Sequence, residues 1–155
     1  MINCTFENGH KNSLRHVVVD MIIVKNGRIL LVKRAPQLSN GGKYALPGGF
    51  VERDEDTKKA ALRETLEETG YKGEIVSLFR IVDNPDRAQE DRQNISFVYI
   101  IRPLGKVGNP DFEVAESRWF DLNSLPRESQ FAFDHLETVR LFQQYLKEDF
   151  PLPIF

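Results

Sequence analysis

Cysteine and tryptophan are nearly missing from this 155-residue chain, with one of each. The single thiol, Cys4, excludes an intrachain disulfide and any thiolate metal cluster, and it fits a reducing compartment. No apolar run approaches the roughly 20 residues that a bilayer-spanning helix requires. Residues 1–16 (MINCTFENGHKNSLRH) also lack the hydrophobic stretch of a signal peptide. A cytoplasmic protein with no membrane partner is the expectation. Basic charge is not in excess either: Lys and Arg number 21 against 23 Asp and Glu, for a net charge of −2. The basic footprint of a protein that binds a nucleic acid polymer is therefore absent, and a small nucleotide is the better-matched partner. Internal repeats and low-complexity tracts are missing too, and one domain over residues 1–155 is expected.

Against that background the patterned segments stand out. Residues 16–24 (HVVVDMIIV) and 28–34 (RILLVKR) are aliphatic runs separated by Lys25-Asn26-Gly27, and Asn-Gly is the strongest short hairpin signal. Asp20 interrupts the first run, which places it either on a polar face near the site or, the reading we favour, as a hydrogen-bonded structural acid at an edge. Residues 35–43 read as a loop, 44–46 as a short strand, and 74–82 and 94–101 as further strands joined by a polar segment, 83–93, a candidate substrate loop. Residues 117–120 can enter the sheet, and 133–147 have the spacing of an amphipathic helix packed on it. The apolar, Pro-broken tail DFPLPIF is expected to pack on the body or on a second subunit. Strands, a helix, more strands and a last helix describe an α/β protein, an α/β/α sandwich with a mixed central sheet.

The helix between the strand groups carries RETLEETG, residues 63–70. At about 100° per residue, Leu62, Thr65, Leu66 and Thr69 share one face, while Glu64, Glu67 and Glu68 fall on the other. Their like charges repel by roughly 0.2–0.5 kcal/mol per neighbouring pair, a penalty that a divalent cation reverses. Mg²⁺, a hard cation, takes carboxylate oxygens together with substrate phosphates. Upstream, Pro47-Gly48-Gly49 forms a turn where a backbone carbonyl could complete the ligand shell. Asp54 or Asp56 suits the helix start and Gly70 its end.

Gly49, Glu55, Arg63, Glu64, Glu67, Glu68 and Gly70 stand in register with G-x5-E-x7-R-E-U-x-E-E-x-G-U, where U is bulky and apolar. The segment thus resembles the Nudix box, with mild departures at Thr65 and Tyr71. The resemblance spans roughly residues 15–147 and implies the Nudix α/β/α sandwich. It also implies hydrolysis of a nucleoside diphosphate linked to another group, with Mg²⁺ or Mn²⁺ as cofactor. Carried over by motif position, Gly48 (through its carbonyl), Glu64, Glu67 and Glu68 are the expected metal ligands, Arg63 orients a glutamate, and Glu55 is a supporting partner. Many family members add a downstream carboxylate; Glu113 is favoured over Glu116 by its spacing to Trp119.

Pro85, in IVDNPDRAQEDRQNISFVYII, and LPGGFVE at residues 46–52 resemble small ADP-ribose pyrophosphatases. The implied substrate is a nucleoside diphosphate sugar, with ADP-ribose giving AMP and ribose 5-phosphate. Arg34, Arg87 and Arg92 are the expected clamps on phosphate or ribose oxygens, with Phe97 or Tyr99 as a base contact. The three histidines, His10, His16 and His135, are expected to be structural or exposed. A mutator-type (d)NTP pyrophosphohydrolase and a non-catalytic ADP-ribose sensor are the competing readings, and a homodimer is expected from the family and the apolar termini.

Overall fold

A computed structural model describes residues 1–87 and 92–155. The Asn-Gly signal is realised as drawn: Asn26 and Gly27 adopt φ of 51° and 72°, the two left-handed residues of a type I′ turn. They join β3 (Val17–Lys25) to β4 (Arg28–Arg34). Ahead of them lies a separate two-stranded sheet, β1 (Ile2–Thr5) with β2 (Lys11–Leu14), which the polar N-terminal sequence gave no pattern to reveal. The main sheet adds β5 (Tyr44–Ala45), β6 (Gly48–Phe50), β7 (Tyr71–Val82), β8 (Ile95–Lys106) and β9 (Val114–Asp121).

Its order is β5-β4-β3-β8-β7, with β6 also on β3 and β9 on β4. Among the described strands of this sheet, β3 and β8 run parallel and the other pairs are antiparallel. The sheet is mixed, as expected. Strands β7 and β8 are longer than their apolar runs, because Tyr71–Gly73 pair with Pro103–Lys106 through the backbone, whatever the side chains.

Period-two alternation on the central strands makes two cores. Val19, Met21, Ile23 and Leu30 face α1 (Thr57–Thr69) through Ala60 and Ala61. Ile22, Ile29 and Leu31 point to the opposite face, where Leu136, Val139 and Phe142 of α2 (His135–Tyr145) pack with Phe79. Both faces of the sheet are covered, which is why β3 reads as a nearly continuous apolar run. Asp20 shares the α2 side with Ile22. It is buried on a central strand, a correction to the edge position expected for it.

The C-terminal tail packs on its own chain. The Ile81 N–H donates to the Ile154 carbonyl at 2.8 Å, the Ile154 N–H donates to Phe79 at 2.9 Å, and Leu152 and Ile154 join the α2-side core. Its pairing covers the outer edge of β7, which would otherwise expose unpaired backbone groups. Among the described residues, no helix is long and apolar enough to cross a membrane.

Candidate active site

Helix α1 starts where the Asp56 side chain accepts the Lys59 N–H at 2.9 Å, so Asp56 rather than Asp54 is the cap. It ends at Gly70, with φ of 72° and its N–H on the Leu66 carbonyl. A Cβ there would run into the backbone of Gly108, so Gly70 answers both to its left-handed conformation and to a crowded neighbour.

The helix is rolled away from the expected apolar stripe. Leu66 is 39% exposed, whereas Ala60, Ala61, Thr65, Glu68 and Thr69 are buried. Small alanines let the helix approach the sheet closely. The Thr65 hydroxyl donates to the Ala61 carbonyl at 2.6 Å and that of Thr69 to the Thr65 carbonyl, so both threonines are buried with their polar atoms satisfied. This roll carries Glu64 and Glu68 inward beneath β6.

Arg63 organises the carboxylates with all five of its N–H groups. Nε and Nη2 reach Glu55 at 3.2 and 2.7 Å; Nη1 reaches Glu64 and Glu67, each at 2.8 Å; and Nη2 also reaches the Phe50 carbonyl at 3.0 Å. Hydrogen bonds from this guanidinium hold Glu55 below the usual carboxylate range, and the same contacts, Glu55 first, push Arg63 further up. Glu68 is held differently. Its Oε2 accepts the Gly48 N–H at 2.8 Å. Burial pushes its carboxyl up to about 8, against that hydrogen bond, and Glu64 and Asp111 add to the push. Burial likewise raises Glu64 against the pull of Arg63, helped by Glu67 and Glu113. Gly49 leaves room for the same packing, since a Cβ there would displace the Glu64 carboxylate from its place beside Arg63.

These groups line a cleft of about 460 Å³, a size suited to a small-molecule ligand. Of the residues expected at the site, Arg34, Gly48, Arg63, Glu64, Glu67, Arg87, Arg92 and Glu113 line it, and Glu68 lies just behind Gly48. Glu116 is not among the lining residues. Pro85 is an exposed turn residue away from the lining. Part of the candidate substrate loop, residues 88–91, lies outside the described residues.

Arg87 is buried rather than solvated, with Nε and Nη2 donating to Asp134 at 2.8 and 2.6 Å. Burial alone would raise Asp134, but the Arg87 bonds and charge outweigh it and the carboxyl is lowered. The Arg34 guanidinium lies 5.2 Å from the Phe133 ring centre and that of Arg92 lies 5.5 Å from Phe50. Phe97 and Tyr99 pack in the α1-side core, the Tyr99 hydroxyl 2.7 Å from Thr57 Oγ1, so the expected base contact does not hold for either.

The sequence reading missed Asp111, Phe133 and the cleft-facing role of His135, and it set aside the site-facing position that Asp20 takes. Asp20 did carry a signal, as a lone acid in an apolar run. Asp111 stands two residues before Glu113, whose backbone N–H donates to the Asp111 side chain at 3.0 Å.

A divalent cation fits the donor set. All the donors are hard oxygens, and the carboxylates of half-buried Glu64 and buried Glu68 have their ionisation disfavoured without a cation. Among the described residues no three acidic or histidine side chains already converge on one point, because Arg63 engages Glu64 and Glu67.

A family model described as the NUDIX domain matches residues 14–142. The chain belongs to the Nudix hydrolase family. It is 38% identical over 129 residues to a protein of Methanocaldococcus jannaschii named ADP-ribose pyrophosphatase, covering 83% of this chain and 73% of the relative. A Nudix hydrolase structure from Nitrosomonas europaea superposes with a TM-score of 0.77 at 25% identity, covering 99% of this chain and 93% of that one. The structure of an ADP-ribose pyrophosphatase from Streptococcus suis, 22% identical, shares the fold with a TM-score of 0.72, covering 92% of this chain and 99% of that one.

Proposed function

We propose that this Nudix hydrolase cleaves the phosphoanhydride bond of ADP-ribose to AMP and ribose 5-phosphate, with Mg²⁺ or Mn²⁺ as cofactor. The observation that carries the reading is one cleft that sets the box carboxylates against three arginines and two aromatic rings. The name of the archaeal relative supports the choice of sugar nucleotide. In this reading Glu64, Glu67 and Glu68, with the Gly48 carbonyl, would hold the cation, which when bound would supply charge neutralisation at the phosphoryl oxygens and activate the attacking water. Arg63 keeps the carboxylates spaced and oriented. Arg34, Arg87 and Arg92 bind the diphosphate, and Glu113 accepts the proton of the attacking water.

Incubation with ADP-ribose and Mg²⁺ is expected to yield AMP and ribose 5-phosphate. A panel of other nucleoside diphosphate sugars and dNTPs, run in ¹⁸O-water, ranks the substrates and locates the attack. No product from any sugar nucleotide with either cation would sink the proposal. A homodimer and a cytoplasmic setting complete the proposal; exposed Ile2, Phe6 and Leu14 on and beside the β1–β2 hairpin support the former.

The metal ligands also give a pH signature. Folded, metal-free protein keeps a proton on Glu68 up to about pH 8, whereas the unfolded chain releases it near its ordinary value of 4.5. Stability from this group is therefore full below about pH 4.5 and is lost as pH rises through about 8, with a slope of up to about 1.4 kcal/mol per pH unit. A cation displaces that proton. The rise in Tm on adding Mg²⁺ is expected to grow between pH 5 and pH 8.5, and scanning calorimetry at the two pH values measures it. An increment independent of pH would contradict it.

A further inference from the structure

The chemistry described above leaves one part of the cleft floor unused. Asp20 of β3 and His135, the first residue of α2, meet there with side chains 11% and 9% exposed. His135 Nδ1 accepts the Leu46 N–H at 3.0 Å. The neutral ring therefore carries its proton on Nε2, and burial, by lowering the pKa of His135, keeps the ring neutral. That Nε2 lies 3.5 Å from Asp20 Oδ1, too far to close a good hydrogen bond. The other oxygen of Asp20 is engaged by the Ser96 hydroxyl. A donor and an acceptor thus stand side by side on the floor, 3.5 Å apart and not joined.

One chemical group satisfies both. A hydroxyl accepts from Nε2–H through its oxygen and donates its hydrogen to Oδ1. A phosphate oxygen, which only accepts, would meet the negative charge of Asp20. A second observation concerns the neighbouring backbone. Phe133 has φ of 52°, a strained conformation for an aromatic residue and one concentrated at ligand clamps. It holds the ring 5.3 Å from that of His135 and under Arg34, an apolar surface beside the polar pair. Asp134, between them, fixes Arg87. Three consecutive side chains therefore serve the same stretch of cleft.

We propose that Asp20 and His135 form a subsite for a ribosyl hydroxyl, a reading that rests on ADP-ribose as substrate. The hydroxyl can belong to the distal ribose or to the adenosine ribose. Two analogues separate these sources: the methyl ester of ADP, which lacks the distal sugar, and ADP-ribose built on 2′,3′-dideoxyadenosine.

His135→Asn places an amide oxygen where Nδ1 receives Leu46 and removes the Nε2 donor. His135→Gln does the reverse. His135→Asn is expected to lower kcat/KM for ADP-ribose by about 10–100-fold, chiefly through KM. That loss should be at least tenfold greater than its loss on the analogue lacking the hydroxyl that is read. His135→Gln keeps the discrimination but melts at a lower temperature. Asp20→Asn, which removes the acceptor charge while remaining isosteric, shows the same selective loss and decides the matter should His135→Asn fail to fold. Equal losses on all three substrates would mean that the pair merely props the Leu46 turn, and would overturn the proposal. Should the wild type hydrolyse none of the three, the ADP-ribose reading fails. Calorimetric titration of the same compounds into wild type and His135→Asn then reads the subsite directly. Weakening confined to the hydroxyl-bearing ligands supports it, and equal affinities overturn it.

Discussion

Glu68→Gln is expected to lower kcat by about 10³-fold or more while leaving the fold intact, because it removes the charge proposed to bind the metal without removing the group that the Gly48 N–H needs. The amide oxygen of glutamine still accepts that hydrogen bond. Stability should move the other way from activity. In the metal-free wild type the unfolded carboxyl ionises from about pH 4.5 while the buried one keeps its proton up to about 8, so the variant matches the wild type near pH 4 and exceeds it by an amount that grows through pH 6 and levels off above pH 8, as at pH 9. With saturating Mg²⁺ the order reverses, since the variant lacks the ligand that ties cation binding to folding. Steady-state kinetics and thermal unfolding at these pH values, with and without Mg²⁺, test every part. Retention of more than a tenth of the wild-type kcat would remove Glu68 from the ligand set.

Arg63→Ala has the second-largest expected effect, and it falls on stability and turnover together. Glu55 and Glu64 are largely sheltered, with side chains 14% and 13% exposed, while Glu67 is 46% exposed. Removing the shared cation leaves three carboxylates to repel one another. Breaking a fully buried pair costs about 3–5 kcal/mol, and solvent screening at Glu67 brings the expected loss here to about 2–3 kcal/mol. Turnover is expected to fall about 10²-fold or more through misplaced ligands. Arg63→Lys keeps the charge but not the five-donor fork, and so should restore part of the stability and little of the rate. Denaturant unfolding and kinetics of the two variants separate charge from geometry. A fully active Arg63→Lys would show that charge alone suffices.

Much of this was legible in the residues. Asn26-Gly27 specified a turn whose backbone only such residues adopt cheaply, and the register from Gly49 to Gly70 placed the carboxylates on one helix with its cap and its stop. These are local signals, complete within a few residues of chain. The roll of α1 was not legible, because Leu66 is more apolar than Ala61 and yet lies outside. Close helix–sheet approach favoured the alanines, and that depends on what the sheet presents. Phe97 and Tyr99 look like base contacts by type, yet their strand turns them toward α1. Pro85 carried a resemblance but no contact with the cleft.

The sequence by itself determined the helix ends, the β3–β4 hairpin and the identity of the acidic residues, since each follows from backbone preference or from charge at fixed spacing. Tertiary structure alone decided which of those charges are buried, that Arg63 spends every donor on its neighbours, and that Asp20 meets His135 across 115 positions of chain. The physical reason is that burial and long-range pairing are set when both faces of the sheet are covered, and only then do a lone acid in an apolar strand and a histidine at a helix start become one site.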